Sequence, residues 1–359
     1  MKKSNYKTGL LLFIATFLIS ASISADEVTK EFHKEYTTGA NTRLELNNKY
    51  GDVTIESWDK NEIVIDVKIK VDISGKEKAQ KFLDKIDVQF SESPDLISAK
   101  TVIDDKFNFG SWNNDSRNFS INYNVKMPVE MALTLLNKYG NSNIDELHGL
   151  MNLDIKYGDI TVGKLTRGNV KPLSKVYIAY GKGEIDEAGW LDVNLRYVGN
   201  LKITKSQALL LDSKYSKVTL GETSSVVGES KYDNISIETI NNLVLDNGFT
   251  EVNIHELTKK LKYEGSYGSF SIESIPAGFE SIDVDTQYMG VKLGIEESAN
   301  YKLDAKVTYG GLKYNEDNFK NQRRVIENNS KEVDGVVGKE ESPAASVKIV
   351  ASYGSVKLY

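Results

Sequence analysis

The sequence predicts an all-β protein, a parallel β-solenoid of short two-strand rungs of about 17–21 residues with a small N-terminal α+β cap. One observation is an aromatic residue that recurs twelve times, at Tyr50, Tyr139, Tyr157, Tyr180, Tyr197, Tyr215, Tyr232, Phe249, Tyr267, Tyr288, Tyr309 and Tyr353. The other is an alternation of apolar and polar residues around it, the periodicity of a β-strand. A repeat this short fits one solenoid rung, because a propeller blade needs about 40 residues.

The alternation predicts which side chains point inward. They are the residues six and four before the aromatic, the aromatic itself, and the residues three and five after it. The step of three after the aromatic requires a bend. Glycine follows the aromatic in seven of the twelve copies, and we expect it to make this bend because it adopts backbone angles closed to other residues. Stacked rungs should align the aromatics into a ladder with a spacing of about 4.8 Å.

The first residues are typical of a secretory signal peptide. Three lysines within the first seven residues precede an apolar run at 10–19, and small residues follow up to Ala25. The run is shorter than the roughly 20 residues that span a bilayer, although an uncleaved anchor is the alternative. We therefore expect cleavage of residues 1–25 and export to the periplasm, the outer membrane or the medium. The mature chain has no second apolar run of membrane length.

Residues 26–132 are expected to form a strand-rich cap that includes the first aromatic unit. Strand alternation is present at residues 63–73, 96–103 and 119–125. Helical spacing is present at Ala79, Phe82, Leu83 and Ile86. We expect this cap to cover the open first rung, because an exposed sheet edge invites association with other chains.

Residues 133–359 are expected to hold the remaining repeats, with two interruptions. An interval of 23 residues between two aromatics predicts a loop at 167–174. The last interval, of 44 residues, contains the polar stretch 316–343. This stretch predicts a flexible surface insertion before a final rung at 347–358.

The composition excludes several classes of function. The absence of cysteine rules out disulfides, thiolate metal sites and a lipid-modified cysteine. A formal net charge of −6 without a clustered basic patch argues against a nucleic-acid partner. Serine-nucleophile elbows, phosphate-binding loops and metalloprotease motifs are missing from the sequence, so we expect neither catalytic residues nor a cofactor.

The sixth position after the aromatic provides one cluster of ionisable residues. Glu238, His255 and Glu273 occupy it on consecutive rungs, so neighbouring side chains should lie about 5 Å apart. An imidazole between two carboxylates could bind a divalent cation or titrate with a raised pKa. A solvated acidic edge is the simpler interpretation, and we assign no metal site. His33 and His148 are expected to be ordinary surface or turn residues.

Two further features suggest binding. A basic residue precedes the aromatic at Lys49, Lys138, Lys156, Arg196, Lys214 and Lys231. This outward column could contact acidic polysaccharide or anionic head groups, or it could simply keep an exposed sheet soluble. Trp112, in the polar loop 108–115, is the tryptophan best placed to stack on a sugar, with packing inside the loop as the alternative.

The segment from Tyr123 to Gly140 has the sequence YNVKMPVEMALTLLNKYG and precedes repeated Tyr-Gly-Asp-Ile-Thr-Val units. In these residues the chain resembles the putative-adhesin family of exported bacterial proteins and the auto-transporter adhesin head domains of Bacteroidetes. The resemblance implies a right-handed β-solenoid, export and a non-enzymatic envelope role, and it carries over no functional residue.

We therefore expect a non-catalytic, adhesin-like binding or structural protein whose partner is a glycan or a protein of the cell envelope. Two alternatives stay open. One is a carbohydrate-active enzyme on a β-helix, and the other is a periplasmic envelope sensor or assembly factor.

Overall fold

The computed structural model describes residues 27–104 and 119–359, in which there are 26 strands and one helix. Most strands pair in parallel, in two series that meet at the aromatic residues. One series supplies the strand before each aromatic and the other supplies the strand after it. The predicted all-β parallel solenoid is therefore confirmed.

The N-terminal part covers the first rung on both series. Its elements are β1 (Glu27–Thr37), β2 (Arg43–Lys49), β3 (Val53–Trp58), β4 (Glu62–Asp72), α1 (Lys76–Leu83), β5 (Ile86–Ser93), β6 (Leu96–Ile103) and β7 (Phe119–Pro128). Strands β2 and β3 flank Tyr50 and pair in parallel with β6 and β7. Antiparallel strands continue outward, β5 on β6, and β4 then β1 on β7. Helix α1 buries Ala79, Phe82 and Leu83 as predicted, whereas Ile86 begins β5.

The repeats follow from residue 132. They are β8 (Ala132–Lys138), β9 (Ser142–Leu147), β10 (Met151–Lys156), β11 (Ile160–Leu165), β12 (Ser174–Ala179), β13 (Gly183–Arg196), β14 (Leu201–Lys214), β15 (Lys217–Lys231), β16 (Asn234–Gly248), β17 (Glu251–Ser266), β18 (Ser269–Ile275), β19 (Ser281–Gln287), β20 (Gly290–Ile295), β21 (Tyr301–Thr308) and β22 (Leu312–Lys313). Strands β13 to β17 are 14 to 16 residues long, because the strand after one aromatic continues into the strand before the next.

The last rung in sequence is not the last in space. The remaining strands are β23 (Phe319–Glu327), β24 (Ser330–Val337), β25 (Ser346–Ser352) and β26 (Val356–Leu358). Strand β25 lies between β19 and β21, and β26 lies between β20 and β22, all in parallel. The polar stretch 316–343, expected as a surface insertion, contains the antiparallel hairpin of β23 and β24. This hairpin pairs with β21 and covers the end of its series.

The prediction that the aromatic points inward is wrong. Around Tyr215 the residues six and four before the aromatic and three and five after it are buried as expected, at Leu209, Leu211, Val218 and Leu220. After Tyr197 the buried positions are shifted by one residue, to Leu201 and Ile203. Tyr215 itself is 48% exposed, whereas Ser213, two residues earlier, is buried. All twelve aromatics have φ between 54° and 65°, a left-handed backbone conformation that interrupts the strand alternation and turns the ring outward.

The expected role of glycine is also corrected. Among the described residues only Gly75, Gly278 and Gly338 are glycines with positive φ, and none of them follows an aromatic of the repeat. A glycine after the aromatic is needed for close approach instead. A Cβ atom on Gly158 would lie 2.0 Å from the carbonyl oxygen of Gly140 in the neighbouring rung.

Candidate binding surface

The twelve outward rings stack into one continuous row, which we call the aromatic row. Neighbouring ring centroids are 4.7–5.1 Å apart and the ring planes lie within 19° of each other. Tyr353 stands between Tyr288 and Tyr309. Eleven of the rings, all except Tyr50, are 41–54% exposed. Because each face is covered by the next ring, the row presents ring edges and phenol hydroxyls to solvent.

The basic column accompanies the first part of the aromatic row. Lys138 Nζ lies 4.7 Å from the ring centroid of Tyr139 and 5.4 Å from that of Tyr157, so this amine extends over the rings. The nearby hydroxyl of Tyr139 raises the pKa of Lys138. Within the described residues, Lys49, Lys214 and Lys231 make no ion pair and are free to meet an external anion.

The basic column ends where the row passes Tyr232. The equivalent positions beyond it are neutral, at Gly248, Ser266, Gln287, Ser352 and Thr308. Two residues away, an acidic column runs in register through Asp212, Glu229, Asp246, Glu264 and Asp285. The sequence pattern alone did not reveal this column. The acidic column therefore flanks the last two lysines, at Asp212 and Glu229, and continues past the end of the basic column.

An apolar stripe lies beside the acidic column. Leu210, Val227 and Val244 stand on consecutive rungs and are 41–47% exposed. With the acids they line a shallow depression of about 510 Å³. A ligand on this face would meet alternating apolar and negatively charged side chains.

The predicted column of Glu238, His255 and Glu273 lies on the other strand series. His255 Nδ1 is 2.9 Å from a carboxylate oxygen of Glu273, and Nε2 is 3.9 Å from one of Glu238. The hydrogen bond to Glu273, followed by the charge of Glu238, raises the pKa of His255. The two ring nitrogens face different carboxylates, an arrangement that suits an imidazolium hydrogen-bonded to Glu273 and attracted by the charge of Glu238.

The other two histidines have the same arrangement, which the sequence analysis missed. His148 contacts Glu130 at 2.9 Å and Glu146 at 2.7 Å. His33 likewise bridges two carboxylates, and hydrogen bonds to these acids raise the pKa of both histidines. One partner of each lies two residues away in the sequence, Glu35 after His33 and Glu146 before His148, so an acid two residues from a histidine could have indicated the contact. The other partner comes from a distant segment.

Two further observations bear on the candidate sites. Trp112 lies outside the described residues, so its predicted role in binding stays a prediction. In residues 27–104 and 119–359 there is no group of three or more acidic or histidine side chains placed to hold a metal ion. The same part of the chain contains no helix long and apolar enough to cross a membrane.

No family model matches the chain, and no curated protein matches it. Among solved structures it is similar to a putative cell adhesion protein from Clostridium sporogenes, at 11% identity over 92% of this chain and 99% of that one, with a TM-score of 0.20. A putative adhesin from Parabacteroides distasonis is 12% identical over 92% and 97% of the two chains, with a TM-score of 0.24. A putative adhesin from Bacteroides fragilis is 8% identical over 92% and 97%, with a TM-score of 0.21. Scores this low establish neither a common fold nor a common function.

Proposed function

We propose that the protein is a non-catalytic, adhesin-like binding protein that holds an extended acidic polymer along the part of the aromatic row that the basic column accompanies. The observation that carries this proposal is the exposure of the row, in which eleven aromatic side chains keep roughly half of their surface in water. A large apolar surface rimmed by polar side chains is typical of an interaction site. Aromatic side chains also lose little conformational entropy on binding.

The form of the row suits a long ligand. Its contact groups repeat at intervals of 4.7–5.1 Å across twelve rungs, and each tyrosine rung offers a hydroxyl and a ring edge. Ring edges carry partial positive charge and hydroxyls donate hydrogen bonds, so both favour an electronegative partner. A polymer can repeat one weak contact many times, and these contacts add because the later ones are intramolecular.

The charge of the ligand follows from the basic column. Among residues 27–104 and 119–359, Lys49, Lys214 and Lys231 have no ion-pair partner to compete with an external anion, and Lys138 extends its amine over the rings. These are point charges on flexible stems, which suit carboxylate or sulfate groups along a polysaccharide. An acidic glycan of a cell envelope or matrix is therefore the ligand class we propose.

An acidic glycan of this kind occurs outside the cytoplasm. The signal-peptide pattern of residues 1–25 supports export, and these residues lie outside the described part of the chain. We accordingly propose that the mature protein acts at the cell surface, in the periplasm or in the medium.

Binding of fluorescent polymers to the purified protein tests the proposal. We expect a sulfated and a carboxylated polysaccharide to bind and a neutral glucan to bind at least tenfold more weakly. Replacement of Lys49, Lys214 and Lys231 by glutamine should weaken binding of the acidic polymers by at least tenfold. The matched control replaces Lys182, Lys217 and Lys292, which follow the aromatics on the other strand series, and should bind as the wild type does. Equal loss in both variants would mean that net charge, and not the row, governs binding.

The same polymers test the absence of catalysis. Prolonged incubation should leave polymer length and reducing-end concentration unchanged. Appearance of new reducing ends, abolished by substitution of a carboxylate pair, would replace the proposal by the carbohydrate-active enzyme.

A further inference from the structure

The rung at residues 346–358 fills a slot between two rungs that precede it in sequence. Strand β25 pairs along its whole length with β19 on one side and with β21 on the other. Tyr353 completes the aromatic row, with ring centroids 4.7 Å from Tyr288 and 4.8 Å from Tyr309. Without this segment, the solenoid would be interrupted by the width of one strand.

The fit between the segment and the slot is close. Five of its side chains are buried in the common core, at Val347, Ile349, Ala351, Val356 and Leu358. At the corner, a Cβ on Gly354 would lie 1.9 Å from the carbonyl oxygen of Met289. A Cβ on Gly310 would lie 1.8 Å from that of Gly354. The wall at Met289 therefore accepts only glycine at position 354, and the opposite wall needs glycine at position 310 to approach the segment.

The far wall of the slot has support of its own. Strand β21, which forms this wall, is paired along its whole length with β24 on its other side, from Tyr301 opposite Val337 to Thr308 opposite Ser330. The segment itself is joined to β24 by residues 338–345 alone, of which 339–342 are exposed. Eight residues can extend about 27 Å. The segment can therefore leave its own slot while the hairpin stays in place.

We propose that this slot is an acceptor site for residues 346–358 of a second copy of the chain, so that two molecules assemble by exchange of this segment. The contacts in an exchanged pair are those of the single molecule, so the exchange forms no new interface and depends on protein concentration. The inference is independent of the ligand of the aromatic row.

The first test uses the full chain with a protease recognition sequence inserted between the exposed residues Glu341 and Ser342. The protein is folded, cleaved and mixed with an excess of a fluorescent peptide of residues 342–359. We expect the label to co-elute with the protein at close to one peptide per molecule and the native segment to be released. A peptide with Gly354→Val should be retained at least tenfold less. Absence of peptide incorporation after complete cleavage would overturn the acceptor site.

The second test concerns the second copy and uses two full-length variants. Gly354→Val leaves an intact slot with a segment that does not fit, and Gly310→Val leaves an intact segment with an altered slot. We expect each variant alone to be monomeric and an equimolar mixture to contain a one-to-one heterodimer by light scattering. If the peptide exchanges but the mixture stays monomeric, assembly between copies is refuted and the slot serves only its own chain.

Discussion

Each rung has a corner, where the aromatic and the residue after it join the two strands. These corners are of two kinds, and the aromatic row passes over both. At seven corners glycine follows the aromatic, and the carbonyl oxygen of a neighbouring rung lies 1.8–2.1 Å from where its Cβ would be. At five corners a side chain follows and is buried, at Val198, Ser216, Asp233, Thr250 and Met289. The left-handed aromatic is common to both kinds, with φ between 54° and 65°. The outward aromatic ring is therefore common to all corners, whereas the residue that follows it differs between them.

The two kinds of corner satisfy backbone N–H groups in different ways. At three glycine corners the acceptor is an exposed side chain two residues after the aromatic: Asp52 accepts from Asn141 N–H at 2.7 Å, Asn141 from Asp159 N–H at 3.0 Å and Asp159 from Lys182 N–H at 2.8 Å. At side-chain corners the acceptor is buried: Asp233 accepts from Ser216 N–H at 2.6 Å and Thr250 from Asp233 N–H at 3.2 Å. A backbone N–H at a corner needs an acceptor. A corner that lacks the exposed acceptor can therefore use the buried one instead.

The largest effect is expected from Gly158→Ala at a glycine corner. The new Cβ would lie 2.0 Å from the backbone oxygen of Gly140, so the two rungs must separate, at a cost of about 3 kcal/mol. The control is Gly199→Ala, one residue beyond a side-chain corner, where the nearest atom is 3.5 Å away on the flexible Lys182. Urea unfolding measures both variants. Equal stabilities would contradict the view that the first kind of corner depends on glycine.

The second effect concerns the hydrogen-bond acceptors. Thr250→Val keeps the shape of the buried side chain but leaves Asp233 N–H without its acceptor, which should cost about 1–3 kcal/mol. Asn141→Ala removes an exposed acceptor at a glycine corner, where water can replace it, and should cost about 0.5 kcal/mol. The same unfolding measurement compares them. A greater loss for Asn141→Ala would reverse the assignment of buried and exposed acceptors.

Removal of one ring from the aromatic row should lower the free energy of unfolding equally at both kinds of corner. Tyr215 stacks on Tyr197 and Tyr232, each at 4.9 Å, and removal of two stacked pairs should cost about 1–2 kcal/mol. Tyr215→Asn is the suitable variant, because asparagine tolerates the left-handed conformation. Tyr157→Asn makes the same change at a glycine corner. A difference in the free energy of unfolding well beyond the error would show that the row and the inner residue are coupled.

The period of the sequence predicts the strands, the buried positions of most rungs and the column of Glu238, His255 and Glu273. It misplaces the aromatic, because alternation alone does not reveal that a non-glycine residue adopts a left-handed conformation and reverses its side chain. The position of the Tyr353 rung is a second feature that the sequence does not predict. It resembles its neighbours in pattern, so the sequence does not tell which two rungs it joins. Glu130, the partner of His148, is likewise brought near only by the fold.

The smallest predicted effect is a pH dependence of stability at one side-chain corner, that of Asp233. Asp233 lies inside its corner, and burial raises the pKa of its carboxyl above the ordinary value of 3.8, although hydrogen bonds from Ser230 and Ser216 oppose the shift. The folded protein therefore holds this proton more tightly than the unfolded chain does. Stability arising from Asp233 is present below the unfolded pKa and is lost as the pH rises through the folded one.

Asp233→Asn keeps an oxygen for Ser216 N–H and an amide that can donate to Ser230, and it does not titrate. As the pH falls from 7 toward 4, we expect the melting temperature of the wild type to rise relative to that of this variant. The difference should become constant below the unfolded pKa, where the aspartate is protonated in both states. Thermal unfolding in a pH series measures this difference, with all other titrating groups common to the two proteins. A wild type that loses stability relative to Asp233→Asn on acidification would mean that the hydrogen bonds outweigh burial at this corner.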